Sequence, residues 1–415
     1  MNAQAPVRGA ELVAGGGRLG LGSQWLARVW AGRIDRILDR IDAGLARGSV
    51  ELTLPDGTVR LLGGCAPGFD AKAGLSSFRA ILRLVTAGSV GCYQGWEAGE
   101  WTSPDPVALF ALFTDNALTL GGAARAHGPW RWLARAAHWL HRNSRKGSLR
   151  NIHAHYDLGN DFYAAWLDPA MVYSSARFAI PGESLEAGQQ RKLQSIADRL
   201  TGARSVLEIG CGWGALAEHL AGRGADVTAI SLSDEQLAWA RERRGQARID
   251  YCKQDYRDTS GQFDAVASVE MVEAVGQEYW AAFFDCMARC LNPGGRAAIQ
   301  YIAMRDDLFD AYSRSADFIQ TYVFPGGMLV RESTFRKLAA ERGLEWQDQA
   351  SFAGDYADTL REWRARFDRA VEEGRLPGGF DARFVRLWRF YLMYCEGGFR
   401  GGVIDVAQVT LVKRP

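Results

Sequence analysis

Apolar residues recur at helical spacing between Gln24 and Arg47, at Leu26, Val29, Trp30, Ile34, Ile37, Leu38 and Ile41, and this periodicity predicts an amphipathic helix. VELTLPDGTVRLLG then reads as two strands around a Pro-Asp-Gly turn. A helix is predicted from Ser76 to Ala87, a turn-rich aromatic segment over SVGCYQGWEAGEWTSPDP, and a further helix from about Pro106 to Leu118. Together these make a small mixed domain over residues 23–122. Residues 1–22 are rich in Gly and Ala, carry no apolar period, and are expected to be poorly ordered.

Between residues 123 and 150 the cations Arg125, Arg131, Arg135, Arg142, Arg145, Lys146 and Arg150 alternate with Trp130, Trp132, Leu133, Trp139 and Leu140. Such a segment suits either a helix lying in an anionic headgroup layer or an interdomain helix whose tryptophans pack on the core. Beyond residue 185 strands and helices alternate: SVLEIG then GALAEHLAGRG, DVTAIS then DEQLAWARERRG, IDYCKQ, FDAVASV, a helix to Leu291, and RAAIQYI. This order predicts an α/β fold with a doubly wound, mostly parallel sheet. The larger domain is placed at residues 151–415.

Composition narrows the function. Forty-nine basic against 48 acidic side chains leave a net charge of +1, so no bulk field calls for nucleic acid. The seven cysteines lie without ligand or disulfide spacing, which argues against a structural metal and for a reducing compartment. The N-terminal residues lack the pattern of an export signal, and no window reaches the length of a spanning helix. A cytoplasmic protein is expected, meeting a membrane from its surface if at all.

The clearest chemistry lies in Val206-Leu-Glu-Ile-Gly-Cys-Gly-Trp-Gly214, where an acidic residue ends a strand and Gly210, Gly212 and Gly214 form the turn into a helix. Glycines let the backbone approach a ligand where a side chain would collide. The next strand ends in ISLSDEQ and a third at Gln254-Asp-Tyr256, so three strand ends converge on a site able to hold a ribose and an adenine ring.

The segments HAHYDLGNDFYAAWLDPAMVYSSARF, EIGCGWGALAEHLA, AISLSDEQ, KQDYRD, SVEMVEAVG, FPGGML and YLMYCEGGFRGGVIDVAQV together resemble the cyclopropane-fatty-acyl-phospholipid synthase family, which includes mycolic-acid cyclopropane synthases and related lipid methyltransferases. The likeness is close over residues 150–415 and looser before. It implies a class I S-adenosylmethionine-dependent methyltransferase domain that adds a carbon to the double bond of an unsaturated acyl chain, with phospholipid at the membrane surface as substrate and a homodimer as one possible assembly. It puts Tyr173 and Ser174 beside the sulfonium, makes Gly210, Gly212 and Gly214 the cradle, and gives Ser231 and Gln236 the ribose and amino-acid end. Asp255 and Tyr256 would flank the adenine.

Methyl transfer to an alkene leaves a carbocation, and the resemblance implies a bound bicarbonate that removes a proton. Ser175, Glu273, Gln300, Ile302 and Tyr356 fall at the positions that cradle it. Ser175 stands where the family pattern has cysteine, Gln300 where it has histidine, and Ala274 replaces another histidine; Tyr301 is bulkier than usual. A histidine donates a charged hydrogen bond and shuttles protons, whereas an amide donates neutrally and does not titrate. Methylation is therefore expected with ring closure in doubt, a methyl- or methylene-branched chain or a furan-fatty-acid precursor being the alternative. A small-amine N-methyltransferase and a non-catalytic binding protein are the other readings. His153 and His155, near Asp157, are taken as structural. Glu270 is taken as a solvated rim residue sharing a helical face with Glu273. Trp363, Phe367, Phe384, Trp388, Phe390, Tyr391 and Tyr394 read as core, part of which could line an acyl channel.

Overall fold

In the computed structural model, which describes residues 8–14, 31–121, 158–243, 248–314 and 317–415, the chain divides into two units. The basic tryptophan segment and His153, His155 and Asp157 lie outside the described residues, as does most of the N-terminal stretch, of which a short helix, Ala10–Ala14, is described. The first unit draws in Asp307–Pro325 and Gly379–Ile404 from later in the chain.

In that unit β1 (Ser49–Thr53) and β2 (Val59–Gly63) form the expected hairpin, closed by Leu54 N–H donating to Thr58 O at 2.7 Å. β3 (Asp70–Leu75) pairs parallel with β1 and antiparallel with β4 (Trp101–Thr102), giving the order β2-β1-β3-β4. Of the segment expected to be turn-rich, residues 89–97 are helical instead, in one helix that runs Arg79–Glu97 with a kink at Gly88 (φ 59°), and residues 98–105 are turns around the short β4. Its glycines serve close approach, since a Cβ on Gly91 would meet Arg83 O at 1.9 Å. The helix Ala382–Arg400 closes on Pro106–Asp115 at Gly397, where a Cβ would come within 2.4 Å of Phe110 Cβ. Phe390 on this helix meets Phe318, Tyr93 and Phe110 at 4.7, 5.2 and 5.3 Å between ring centres. Trp363 and Phe367 belong to the other unit.

The second unit is built on an eight-stranded sheet. Its strands are β5 (Ser205–Ile209), β6 (Asp226–Ser231), β7 (Ile249–Lys253), β8 (Phe263–Val269), β9 (Leu291–Met304), β10 (Val330–Arg331), β11 (Leu344–Ser351) and β12 (Ile404–Lys413). They run β11-β12-β9-β8-β5-β6-β7, with β10 on β9. The pairs joining β5 to β9 are parallel, and β11 with β12 makes an antiparallel edge. Strand residues Val206, Val227, Ala229, Ala265, Ala267 and Ala298 pack with Leu193 and Ile196 of the helix Leu185–Arg199 and with Leu216 and Leu220 of the helix Ala215–Gly222. Small alanines in the strands let these helices sit close, and the carboxyl ends of β5, β6, β8 and β9 face the loops that carry the polar residues below.

Candidate active site

The turn after β5 separates its three glycines by role. All have positive φ, 83°, 53° and 87° at 210, 212 and 214. A Cβ on Gly210 would strike Met271 Cγ at 2.5 Å and one on Gly214 the Tyr251 hydroxyl at 2.3 Å, whereas one on Gly212 would meet nothing within 4 Å among the described residues. Among the described residues Gly212 is the one of the three that faces open space; its neighbours are small because protein packs on them. Ser231 and Gln236 come together as expected, the serine hydroxyl donating to Gln236 Oε1 at 3.3 Å. Tyr256 is buried against Phe283, with no hydrogen-bond partner for its hydroxyl. The Asp255 carboxylate, expected at the adenine, is tied to Arg257, whose Nε lies 2.9 Å away. Tyr173 packs at a tilt on Tyr163, 5.4 Å between ring centres, and Tyr163 reaches Trp213 of the glycine turn at 5.1 Å. Open space at Gly212 and the orphaned Tyr256 hydroxyl fit an adenosyl group bearing an amino acid.

Beside this turn lies a buried charge cluster that sequence reading missed. Lys192, on the inner face of its helix, is 1% exposed and donates to Ser174 Oγ at 2.6 Å. Burial draws its ammonium down to about 8, against the pull of Glu270, Asp168 and Glu208. Glu208, the acidic residue of β5, is buried with one carboxyl oxygen unpaired, and burial pushes it up to about 8 with Lys192 opposing. A lysine among the core positions of that helix, beside Leu193 and Ile196, was the available signal.

The second half of the site requires a correction. Glu270 does not share a helical face with Glu273: it sits just past β8 in the left-handed region (φ 46°), and Glu273 lies in the 3-10 turn Val272–Ala274. Nor is it a solvated rim residue. Its Oε1 accepts from Ser175 N–H at 2.9 Å and from Gln300 Nε2 at 2.6 Å, and its Oε2 from the Tyr356 hydroxyl at 2.7 Å. Ser175 serves through its amide, its hydroxyl turning to Ala176 O at 2.9 Å. Glu273 receives the Ile302 N–H on one oxygen, the other being buried with no hydrogen-bond partner among the described residues. The five residues assigned to a bicarbonate thus do converge, but three of them spend their donors on Glu270. The site as built does not fit the ion.

Position along β9 explains which residues enter. Gln300 and Ile302 share a face, and Tyr301 points the other way, where its hydroxyl donates to Glu332 at 3.1 Å. Its bulk therefore does not touch the site. Burial raises both Glu270 and Glu273; three donated hydrogen bonds oppose this at Glu270, whereas at Glu273 the charge of Glu270 adds to burial and pushes its carboxyl up to about 8. At about 8, Glu273 holds its proton at neutral pH.

A doubly wound sheet with a glycine turn after its central strand, an open face at Gly212 and a paired serine and glutamine after β6 defines a class I S-adenosylmethionine-dependent methyltransferase. The family model of mycolic acid cyclopropane synthetase matches residues 143–409. Tuberculostearic acid methyltransferase of Mycobacterium tuberculosis is 38% identical over 359 residues, covering 80% of each chain. Cyclopropane-fatty-acyl-phospholipid synthase of Escherichia coli is 36% identical over 262 residues, covering 62% of this chain and 66% of that one. The mycolic acid cyclopropane synthase CmaA1, crystallised with SAH and CTAB, superposes with a TM-score of 0.60 at 26% identity, covering 64% of this chain and 98% of its own. The chain belongs to the mycolic acid cyclopropane synthetase family and is an S-adenosylmethionine-dependent lipid methyltransferase.

Proposed function

We propose that this enzyme methylates a double bond in the acyl chain of a membrane phospholipid and releases an open methyl- or methylene-branched chain. S-Adenosylmethionine supplies an electrophilic methyl carbon when bound. An isolated alkene is a weak nucleophile, so the protein contributes by holding it in line with that carbon and away from water. The observation that carries the open-chain reading is the cradle itself: Ser175 N–H, Gln300 Nε2 and the Tyr356 hydroxyl converge on the Glu270 carboxylate. The Gln300 amide, held by Gln408 Nε2 at 2.9 Å, adds a neutral donor that does not titrate. The 80% coverage of both chains in the match to tuberculostearic acid methyltransferase supports the same product class.

Phospholipid as substrate, met at the cytoplasmic membrane surface, rests on the basic tryptophan segment and the N-terminal unit. No helix among the described residues is long and apolar enough to cross a membrane. The test is gas chromatography of fatty acid methyl esters from cells expressing the enzyme. The expected product is one CH2 heavier than its unsaturated precursor and takes up hydrogen under mild catalysis. A clean cyclopropane would overturn the open-chain product, and the absence of any methylated acyl chain would overturn the substrate.

A further inference from the structure

We propose that Glu270 is the base of this site, a carboxylate that the chain itself supplies to balance the cation formed on the acyl chain and to take the proton that ends the reaction. The inference rests on methyl transfer to an alkene. Three donors aim at this one side chain from the loop at Ser175, from β9 and from the helix Ala353–Glu372 that carries Tyr356. An ionised carboxylate offers about four lone-pair directions. Two on Oε1 and one on Oε2 are taken, which leaves one on Oε2 to receive a proton.

A chain of fixed donors sets the amides. Arg177, which can only donate, gives hydrogen bonds to Ser195 Oγ at 2.8 Å and Gln408 Oε1 at 3.4 Å, and Ser195 donates to the same Gln408 oxygen at 2.7 Å. Gln408 must therefore present its NH2 to Gln300 Oε1, and Gln300 must present its own NH2 to Glu270. This ordering aims a fixed donor at Glu270, and a carboxylate is the stronger acceptor when ionised. Glu270 also lies beside the cofactor turn, since the next residue, Met271, packs on Gly210. A non-glycine residue held at φ 46° costs on the order of 1 kcal/mol, a strain that accumulates at functional positions.

The step balances as follows. The alkene π pair forms a bond to the methyl carbon, the carbon–sulfur bond breaks with its pair remaining on sulfur as S-adenosylhomocysteine, and the neighbouring alkene carbon becomes cationic. A hydride shift moves that charge to the methyl-bearing carbon. Glu270 Oε2 then takes a methyl proton, whose C–H pair becomes the new double bond, and the neutral acid later returns the proton to water.

The experiment uses purified full-length enzyme, S-adenosylmethionine and vesicles of unsaturated phosphatidylglycerol. Native enzyme is expected to run at the same rate in buffer stripped of carbon dioxide as with millimolar bicarbonate. Glu270→Gly, which suits the left-handed backbone, is expected to slow product formation about a hundredfold or more, to keep its calorimetric affinity for S-adenosylmethionine, and to regain about tenfold with formate. Glu270→Gln is expected to be equally slow and deaf to formate, because its amide still fills the cradle. A native rate that falls on removal of carbon dioxide, or a Glu270→Gly enzyme as fast as native, would overturn the proposal. Native enzyme that binds S-adenosylmethionine yet methylates no acyl chain would instead overturn the alkene reading beneath it.

Discussion

The Tyr356 hydroxyl donates to Glu270 Oε2 across 2.7 Å from a position 86 residues further along the chain. A hydrogen bond to a charged acceptor contributes about 1.5–3 kcal/mol. Tyr356→Phe should accordingly lower the melting temperature by several degrees and slow methyl transfer to vesicle lipid about tenfold or more. Calorimetric affinity for S-adenosylmethionine should hold. A variant that loses cofactor affinity and rate together would place Tyr356 at the cofactor instead.

Gly212→Val tests the glycine turn. No described residue stands within 4 Å of the new Cβ, so the described fold has room for it at the cost of backbone strain at φ 53°. The side chain projects where the cofactor backbone would lie, and titration calorimetry should show binding weakened beyond detection while circular dichroism keeps the native spectrum. Equal affinity in the variant would sink the placement of the cofactor.

The parallel part of the second unit was legible because its central strands carry apolar runs and alternate with helical segments. The glycine turn and the Ser231–Gln236 pair were legible for the same reason: they sit at strand ends. Residues 89–97 were not, since Gly91 and Gly95 look like breakers until the close approach that requires them is visible. Glu270 was misread because a spacing of three suggests a helical face only if the segment is helical, and a positive φ at Glu270 breaks that register. An acid immediately after a central strand was the usable cue. Lys192 escaped notice because its partners, Ser174 and the carboxylates around it, come from distant parts of the chain.

Glu273 gives the pH signature. Its folded value, about 8, stands above the ordinary 4.5, so the native state holds a proton that the unfolded chain has released between those limits. Its contribution to stability is full below pH 4.5 and is lost as pH rises toward 8. Glu273→Gln removes this dependence, and the stability difference between variant and native enzyme should move in favour of the variant by a few kcal/mol across that window. Denaturant titrations at pH 5, 6.5 and 8 would show it; a difference that stays flat would mean that Glu273 is ionised in the native state.

Gln300→His, alone or with Ser175→Cys, should leave the product open-chained, because Glu270 still fills the cradle. Joined to Glu270→Gly, the histidine variant should respond to bicarbonate and shift its esters toward the ring. Each tenfold change in the product ratio corresponds to about 1.4 kcal/mol between competing barriers. Ring formation from Gln300→His alone would show that residue 300, and not Glu270, decides where the proton goes.

The left-handed backbone at Glu270 bears on ancestry as well as chemistry. Glycine occupies that conformation without strain, and every glutamate codon differs from a glycine codon by one base at its second position. An enzyme that borrows its anion from solution and one that carries it covalently are thus separated by a single nucleotide and no movement of the main chain. Dependence on dissolved carbon dioxide becomes a trait that such a lineage could shed, or regain, in one mutational event.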